Sequence, residues 1–376
     1  MNKLRIAVVI GTRPEAIKLA PVILAARARS AQFEVRVIRT GQHRELVDSA
    51  MEEFELQTDV DLDLMAPNQS LAHVMSASVS GLSELFAADR PDWVLVQGDT
   101  TTTFAGALAA FYNRVRVGHV EAGLRTGNRY LPFPEEANRS MTARLADLHF
   151  APTEQARRNL LAEGLSPQSI LLTGNTVIDI LLHTLARAPL AAARSRSTDA
   201  GGYILVTTHR RENQGPALDR ICDALLALLD RHTETSVWLP MHPSPNVRGA
   251  VIARLGRHPR VRLTEPLGYV DFVTALDGAC FVLTDSGGIQ EECAALGKPV
   301  LVLRHDTERQ EAVDAGVAVL VGTDPERIVE VASRLLLDRD KWRAMSRPST
   351  AFGDGSASTR ILDALLAAGP GATFPP

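Results

Sequence analysis

The chain has 376 residues, of which 45% are hydrophobic and 22% charged, and its net charge at pH 7 is -4. This length predicts two domains or one large domain, and the composition is typical of a globular protein. The slightly acidic balance does not favour nucleic acid or an anionic membrane as a partner, so an anionic ligand would require local basic groups. No apolar run approaches the roughly 20 residues of a membrane span. Residues 1–5 lead into a strand without the apolar core of a signal peptide.

The three cysteines, Cys222, Cys280 and Cys293, are odd in number and lie in apolar segments. This pattern predicts buried thiols in a reducing compartment, not a disulfide framework or a metal site. The ten histidines include no H-E-x-x-H sequence or other close metal-binding pair. We therefore expect a cytoplasmic protein without a bound metal.

The first half of the chain alternates predicted strands with predicted helices. An apolar strand at 6–10 precedes the sequence GTRPE at 11–15, whose threonine and glutamate match a capping box and whose proline favours a first helical turn. Pro21 is expected to kink or restart this helix. Arg13 and Lys18 lie near the helix start, where cations oppose the helix dipole. They are candidates for binding an anion, with ordinary surface charge as the alternative.

The same alternation continues to the end of the chain. Further strands are predicted at 33–39, 93–96, 115–120, near 149–150, and at 170–172, 203–206, 237–239, 279–283 and 300–303. Helices are predicted at 70–88, 104–112, from Glu135 onward, and at 218–229 and 358–368, with an irregular stretch at 124–134. This order predicts an α/β protein with doubly wound parallel sheets.

A change of composition at 186–202 marks the predicted linker between two domains. We assign 1–185 to an N-terminal Rossmann-like domain and 203–355 to a C-terminal one. Residues 356–376 are expected to form a C-terminal helix that packs back on the N-terminal domain.

The sequence LTDSGGIQEE at 283–292 follows an apolar strand and opens a predicted helix that ends at Gly297. A glycine-rich turn at a helix N-terminus presents backbone N–H groups to a phosphate. Glu292 lies further along the helix, where a carboxylate could accept hydrogen bonds from ribose hydroxyls. The alternative is a tight turn capped by Ser286 with a solvated acidic face, and this stretch by itself leaves both interpretations open.

Several polar residues follow predicted strands directly, at the edge where open parallel sheets bind ligands. They are Arg13, Gln42, Asp99, Glu121, His209, His242 and Ser286. Two such halves facing each other would form one interdomain cleft. The shared position of these residues at strand ends is more informative than any one of them.

The absence of several motifs narrows the range of reactions that this sequence predicts. A strand–helix G-x-G-x-x-G, a G-x-x-x-x-G-K-[ST] and a G-x-S-x-G are all absent, which disfavours a bound nicotinamide or flavin, ATP hydrolysis and a serine hydrolase. What remains is a phosphate-binding turn in one half and the carboxylates Asp99, Glu121 and Glu135 in the other. Carboxylates suit proton transfer or stabilisation of a cation at carbon. For Glu135 the alternative is an ordinary first-turn helix carboxylate.

Eight sequence motifs carry a resemblance to a known family. They are GTRPEAIK at 11–18, QHR at 42–44, GDTTT at 98–102, GHVEAGLRT at 118–126, PEEANR at 134–139, TGNTV at 173–177, HRRE at 209–212 and DSGGIQEE at 285–292. In this order, over nearly the whole chain, they resemble the bacterial non-hydrolysing UDP-N-acetylglucosamine 2-epimerases. One departure is Thr208, where the family often has a smaller residue.

The resemblance implies a GT-B-like fold of two Rossmann-like domains with the active site between them. It implies reversible conversion of UDP-GlcNAc to UDP-ManNAc without a cofactor, by elimination of UDP to a 2-acetamidoglucal and re-addition. It further implies a homodimer and a supply of ManNAc for surface polysaccharide, with neither nucleic acid nor membrane as a partner.

The resemblance also assigns residues to roles. Catalytic residues would be Asp99, Glu121, Glu135 and His209, the last also contacting the diphosphate. UDP would be bound by Arg13, Lys18, Phe272, Ser286, Gly287, Gly288 and Glu292. A second, allosteric UDP-GlcNAc site would comprise Gln42, His43, Gln69, Glu136, Arg210 and His242. Which carboxylate takes the proton stays open.

Three other functions were weighed against this one. The nearest alternative is a hydrolysing epimerase that releases ManNAc and UDP. A retaining GT-B glycosyltransferase would share the phosphate turn but would not need three carboxylates. A catalytically silent sugar-nucleotide sensor would be expected to lack Asp99, Glu121 or Glu135.

Overall fold

The computed structural model describes residues 3–41, 44–64, 69–187, 202–208, 210–242 and 244–370. Most of the predicted linker at 186–202 lies outside these ranges, as do Gln42, His43 and His209. The chain divides into two compact units. The first comprises Met1–Ile180 and Gly353–Pro376, and the second comprises Leu181–Phe352.

The first unit is built on a parallel sheet of seven strands in the order β3-β2-β1-β4-β5-β6-β7. The strands are β1 (Leu4–Ile10), β2 (Phe33–Arg39), β3 (Val60–Asp61), β4 (Trp93–Gln97), β5 (Arg116–Val120), β6 (Leu148–Ala151) and β7 (Ile170–Leu172). The helices before the unit boundary are α1 (Arg13–Ala28), α2 (Arg44–Glu53), α3 (Leu71–Ala88), α4 (Thr101–Tyr112), α5 (Glu135–Leu145), α6 (Glu154–Ala162) and α7 (Thr176–Arg187), with a 3-10 turn at Pro167–Ser169. The central strands are mostly apolar because helices cover both faces of the sheet, and all five residues of β4 are buried.

The second unit repeats this architecture with six parallel strands in the order β10-β9-β8-β11-β12-β13. The strands are β8 (Tyr203–Thr207), β9 (Ser236–Pro240), β10 (Val261–Thr264), β11 (Phe281–Thr284), β12 (Val300–Val302) and β13 (Ala318–Leu320). The helices are a 3-10 turn at Arg211–Asn213, α8 (Pro216–Arg231), α9 (Pro245–Leu255), α10 (Tyr269–Gly278), α11 (Gly287–Leu296), α12 (Gln310–Asp314), α13 (Pro325–Leu337) and α14 (Arg339–Met345).

The last described helix, α15 (Ala357–Ala368), belongs to the first unit. The Asp179 carboxylate on α7 accepts hydrogen bonds from the Ala357 N–H at 3.2 Å and the Ser358 N–H at 2.7 Å. An anion at this end satisfies N–H groups that have no intrahelical partner. At the other end of the helix, the Trp93 indole N–H donates to the Gly369 carbonyl at 3.0 Å. The chain thus returns to the first sheet after completing the second.

Each sheet reverses its strand order at one point, between β1 and β4 in the first and between β8 and β11 in the second. Ligands of open parallel sheets bind beyond the carboxyl ends of the strands at such a point. The turns that follow these four strands contain Arg13, Asp99, Thr208 and Ser286. The predicted fold class of two Rossmann-like parallel sheets is confirmed.

Two local features differ from the sequence-based expectation. Of the two outcomes expected at Pro21, a kink or a restart, the restart does not occur, because helix α1 continues through Pro21 to Ala28. Helix α4 begins at Thr101, three residues before the predicted start, because the Thr100 side chain accepts a hydrogen bond from the Thr103 N–H and caps the helix there. Within the described residues, no helix is long and apolar enough to cross a lipid bilayer.

Candidate active site

A single buried carboxylate joins the two turns at the reversal point of the first sheet. Glu15, in the first turn of α1, accepts hydrogen bonds from the N–H groups of Gly11 at 2.7 Å and Thr12 at 2.6 Å. Its other oxygen accepts from the hydroxyls of Thr100 at 2.5 Å and Thr103 at 3.0 Å, beyond β4. Burial raises the pKa of Glu15, and these hydrogen bonds act in the opposite direction. Glu15 therefore joins the turn that precedes Arg13 to the threonines that follow Asp99.

Asp99 lies at the end of β4 and is paired with a buried cation from α5. Its carboxylate is 2.5 Å from an Arg139 guanidinium nitrogen. The Asn138 side-chain amide donates to the Asp99 carbonyl at 3.0 Å. Both the backbone and the side chain of Asp99 are thus held by neighbouring residues of one helix.

Glu121 follows β5, the strand beside β4, and its carboxylate is equally constrained. Lys18 forms an ion pair with it, and the Asn175 amide donates to the same oxygen at 2.9 Å. Glu121 is 8% exposed and has φ of 63°, a left-handed conformation that is uncommon for residues other than glycine. A strained backbone held by fixed contacts is typical of functional sites.

His119 lies on β5, two residues before Glu121, and supports the neighbouring loop. Its Nε2 lies 2.7 Å from the Gly98 carbonyl, directly before Asp99. Burial lowers the pKa of His119 to about 3, so the imidazole is neutral and the Nε2–H donates. The adjacent residue on β6, His149, is also buried, and its pKa is lowered to about 4 for the same reason.

Glu135 and Glu136 open helix α5 but have different environments. The Glu136 carboxylate accepts from the N–H groups of Thr126 and Gly127, both at 3.1 Å, and so orders the loop before the helix. One Glu135 oxygen and one Arg139 terminal nitrogen are buried without a hydrogen-bond partner among the described residues. Buried polar atoms of this kind indicate a polar ligand or water that completes the site.

In the second unit, the turn after β11 forms the N-terminus of α11. Ser286 is the N-cap residue, but its hydroxyl makes no capping hydrogen bond, so the interpretation of a serine-capped turn is wrong. The first N–H groups of the helix have no intrahelical acceptor. A Cβ on Gly288 would meet no protein atom within 4 Å, whereas a Cβ on Gly287 would lie 3.0 Å from the Arg309 guanidinium carbon. Open space above Gly288 suits the approach of a phosphate.

The strand ends of the second sheet are joined by a buried aspartate. The Asp285 carboxylate, fully buried, accepts from the Arg210 N–H at 3.0 Å and the Asn213 amide at 2.9 Å. One layer below, the hydroxyls of Thr207 and Thr284 are 2.7 Å apart. The turns after β8 and β11 are therefore held in one arrangement.

The remaining described residues that were predicted to bind a ligand are divided between the two units. In the second unit, Glu292 is buried and accepts from the Tyr269 hydroxyl at 2.7 Å, while Phe272 is half-buried on the same helix as that tyrosine. His242 accepts from the Ser244 N–H at 3.1 Å. Gln69, in the first unit, donates to the Leu64 carbonyl at 2.7 Å. Among the described residues, no group of three or more His, Cys, Asp or Glu side chains is arranged to bind a metal ion.

Three residues that shape the site were not predicted to do so from the sequence: Arg139, Asn175 and Tyr269. Glu15 was predicted only as part of a capping box with Thr12, which the structure confirms, and not as the link between the two turns. Arg139 is four residues after Glu135, so both lie on one helix face, and this spacing could have identified it. Asn175 and Tyr269 gave no comparable signal because their partners, Glu121 and Glu292, are distant in sequence.

Comparison with known proteins identifies the family. The family model for UDP-N-acetylglucosamine 2-epimerase matches residues 25–366. A UDP-N-acetylglucosamine 2-epimerase of Bacillus subtilis is 48% identical over 366 residues, covering 97% of this chain and 96% of that protein.

The chain belongs to the UDP-N-acetylglucosamine 2-epimerase family.

Solved structures of this epimerase family agree with the fold. The Neisseria meningitidis UDP-GlcNAc 2-epimerase, bound to UDP-GlcNAc, superposes with a TM-score of 0.91 at 43% identity, covering 97% of this chain and all of that one (100%). The S. aureus protein MnaA, in a structure with UDP, gives a TM-score of 0.89 at 43% identity and covers 99% of each chain. The GT-B-like fold class predicted from sequence is thereby confirmed.

Proposed function

We propose that the protein interconverts UDP-GlcNAc and UDP-ManNAc by the non-hydrolysing route. The observation that carries this proposal is the pair Asp99 and Glu121, carboxylates at the ends of neighbouring strands, each held by a cation. Family membership supports a UDP-sugar as substrate, and the turn at Ser286 supports binding of its diphosphate.

The reaction must remove a hydrogen from C2, which is not next to a carbonyl group and is hardly acidic. In the proposed route the C1–O bond breaks, UDP leaves with the bonding electrons, and C2 gives its proton to a carboxylate. The product of this step is 2-acetamidoglucal. The proton then returns on the opposite face of C2 while UDP attacks C1, which yields the epimer. Atoms and electrons balance without a redox step.

Asp99, Glu121 and Glu135 share the tasks of proton transfer and of stabilising positive charge at C1. The buried Glu135 oxygen and Arg139 nitrogen without described partners support a polar ligand beside these carboxylates. Lys18 positions Glu121 through their ion pair.

UDP is bound, in this proposal, by Arg13, His209 and the turn from Ser286 to Gly288. Backbone N–H groups at the start of α11 stabilise the departing diphosphate. Glu292, oriented by Tyr269, accepts hydrogen bonds from the ribose, and the backbone near Phe272 contacts uracil.

We extend the proposal, on the family resemblance, to a second UDP-GlcNAc site that regulates the enzyme. Gln42, His43, Gln69, Glu136, Arg210 and His242 would form it. A sigmoidal dependence of rate on UDP-GlcNAc that becomes hyperbolic in His242→Ala would support this site. A homodimer, a cytoplasmic location and a role in surface polysaccharide synthesis complete the proposal, and sedimentation of the purified protein tests the dimer.

The main test is incubation with UDP-GlcNAc in D2O, followed by NMR of the sugar. We expect deuterium at C2 in both UDP-GlcNAc and UDP-ManNAc, with the nucleotide still attached. Accumulation of free ManNAc and UDP would establish the hydrolysing reaction instead. Absence of deuterium at C2 would refute both forms of epimerase.

A further inference from the structure

Glu308 lies at the centre of three arginine side chains in the second unit. One of its oxygens is 3.0 Å from Arg210 Nη2 and 3.0 Å from Arg309 Nη1, and the other is 2.7 Å from Arg304 Nη1. The Glu308 side chain is 11% exposed. Burial by itself would raise the pKa of Glu308, but the three guanidinium groups outweigh it and hold the pKa well below its ordinary value. The carboxylate is therefore ionised at any working pH.

Arg210 extends from Glu308 to the turns of both central strands. It lies in the turn after β8, and its own N–H donates to the Asp285 carboxylate at 3.0 Å. Its guanidinium Nε donates to the Asp285 carbonyl at 3.2 Å, immediately before Ser286. The remaining arm of the guanidinium is the one that Glu308 holds.

Arg309 approaches the same turn from the opposite end of the network. Its Nε donates to Glu291, a buried residue of α11, at 2.7 Å. Its guanidinium also occupies the space beside Gly287, where a Cβ would lie 3.0 Å from its central carbon. Arg309 thus contacts the beginning of α11 at Gly287 and Glu291, while Arg210 contacts the residue before Ser286.

We propose that Glu308 is the positioning residue of the diphosphate turn, since its carboxylate holds Arg210 and Arg309 against the two sides of Asp285–Gly287. This inference rests on the proposed function, because it assigns UDP to that turn. A backbone that must stabilise leaving UDP and return it to C1 requires fixed N–H directions. Uncompensated buried guanidinium groups would be unfavourable there, so the carboxylate also keeps their charge balanced.

The test is the variant Glu308→Gln, which keeps the size of the side chain and removes its charge. A glutamine has one acceptor oxygen for three guanidinium groups, so Arg210 loses its fixed position. We expect the Kd for UDP and the KM for UDP-GlcNAc each to rise about tenfold, as the loss of one charge-assisted hydrogen bond would produce. The kcat for deuterium exchange at C2 should fall as well, because the same N–H groups stabilise the departing diphosphate, but by less than in Asp99→Asn, since the carboxylates of the other unit are untouched.

The matched control is Glu212→Gln. Glu212 also pairs with Arg304, at 3.2 Å, but its side chain is 46% exposed and it has no ion pair with Arg210 or Arg309 among the described contacts. This variant should bind UDP as the wild type does. Equal Kd values in Glu308→Gln and Glu212→Gln would overturn the proposal. Tighter UDP binding in Glu308→Gln would overturn it too, because the turn would then not need the carboxylate to hold its position.

A double-mutant cycle with Arg210→Lys separates positioning from a general loss of stability. If Glu308 acts through Arg210, the two substitutions together should weaken UDP binding by much less than the product of their separate effects. If the effects of the two substitutions on the Kd simply multiply, the inference is contradicted. If Glu308→Gln fails to fold, Arg210→Lys by itself tests the same contact. Failure of the proposed function is distinct, because the wild type would then show no deuterium at C2 at all.

Discussion

The two sheets fix their ligand edges by different means. In the first unit Glu15 joins the turns after β1 and β4 through uncharged donors, two N–H groups and threonine hydroxyls. In the second unit Asp285 joins the turns after β8 and β11, and arginines balanced by Glu308 reinforce it. Apart from the additional strand β7 in the first sheet, the strand order is the same in the two units.

This difference follows from the charge of the groups at the carboxyl ends of the strands in each unit. The first unit presents carboxylates, so Lys18 and Arg139 are paired with Glu121 and Asp99. The two turns of this unit are joined through uncharged donor groups instead. The second unit is proposed to present N–H groups to an anion, and Arg210 and Arg309 contact the residues on either side of Ser286. One fold therefore supports an acid/base half-site and a phosphate half-site, with different side chains at equivalent strand ends.

The largest expected effect comes from the carboxylates of the first unit. Asp99→Asn or Glu121→Gln should reduce deuterium exchange at C2 by about a thousandfold, the size expected for loss of a general acid or base. Calorimetric titration should show that UDP still binds, because its turn lies in the other unit. Normal turnover in both variants would refute the assignment of these carboxylates.

The next largest expected effect concerns Glu15, which joins the two turns of the first unit. Glu15→Gln should lower the free energy of unfolding by about 2 kcal/mol, because one amide oxygen cannot replace a carboxylate that accepts from both turns. Urea denaturation measures this change. Glu154→Gln is a suitable control, since Glu154 lies in the first turn of α6 and, within the part of the chain that the structure describes, its side chain forms one exposed pair, with Arg157 at 2.9 Å. Similar losses in the two variants would show that Glu15 has no special role.

A smaller effect distinguishes the two glycines of the phosphate turn. Gly288→Ala should leave stability unchanged and raise the Kd for UDP about tenfold, because its Cβ enters space that is open to ligand. Gly287→Ala should instead displace Arg309 and lower the melting temperature. Unchanged UDP binding in Gly288→Ala would place the diphosphate elsewhere.

The smallest effect is a pH dependence of stability in the first unit. The ordinary pKa of histidine is 6.5, and burial lowers that of His149 to about 4. Between pH 6.5 and 5.5 the unfolded chain therefore gains a proton that the folded chain does not, and stability should fall by about 1 kcal/mol from this residue. His149→Gln should reduce the decline by that amount in denaturation curves at both pH values. An identical decline in wild type and variant would contradict it.

Much of the architecture was predictable because the strands are short, mostly apolar or alternating segments that are followed by turn residues. The strand at Phe33–Arg39 was predicted with its observed bounds, and Gly297 ends α11 in the left-handed conformation expected of a C-cap glycine. The start of α4 was missed because a run of threonines favours strand or turn locally. Only the cap at Thr100 and burial against the sheet make these residues helical.

The site was less predictable. Periodicity and strand ends located Asp99, Glu121 and Ser286, since these follow from local sequence. The contacts between Glu121 and Asn175, Glu292 and Tyr269, or Glu308 and Arg210 join segments far apart in the chain. No local pattern encodes such contacts.

By itself, the sequence determined two parallel α/β units, the strand ends that carry polar residues and the glycine-rich turn that begins α11. It determined them because hydrophobic periodicity, turn chemistry and helix capping act over a few residues. The tertiary structure decided which partner holds each functional side chain: Lys18 for Glu121, Arg139 for Asp99, and three arginines for Glu308. Those pairings depend on distances through space that exist only once the sheets have formed.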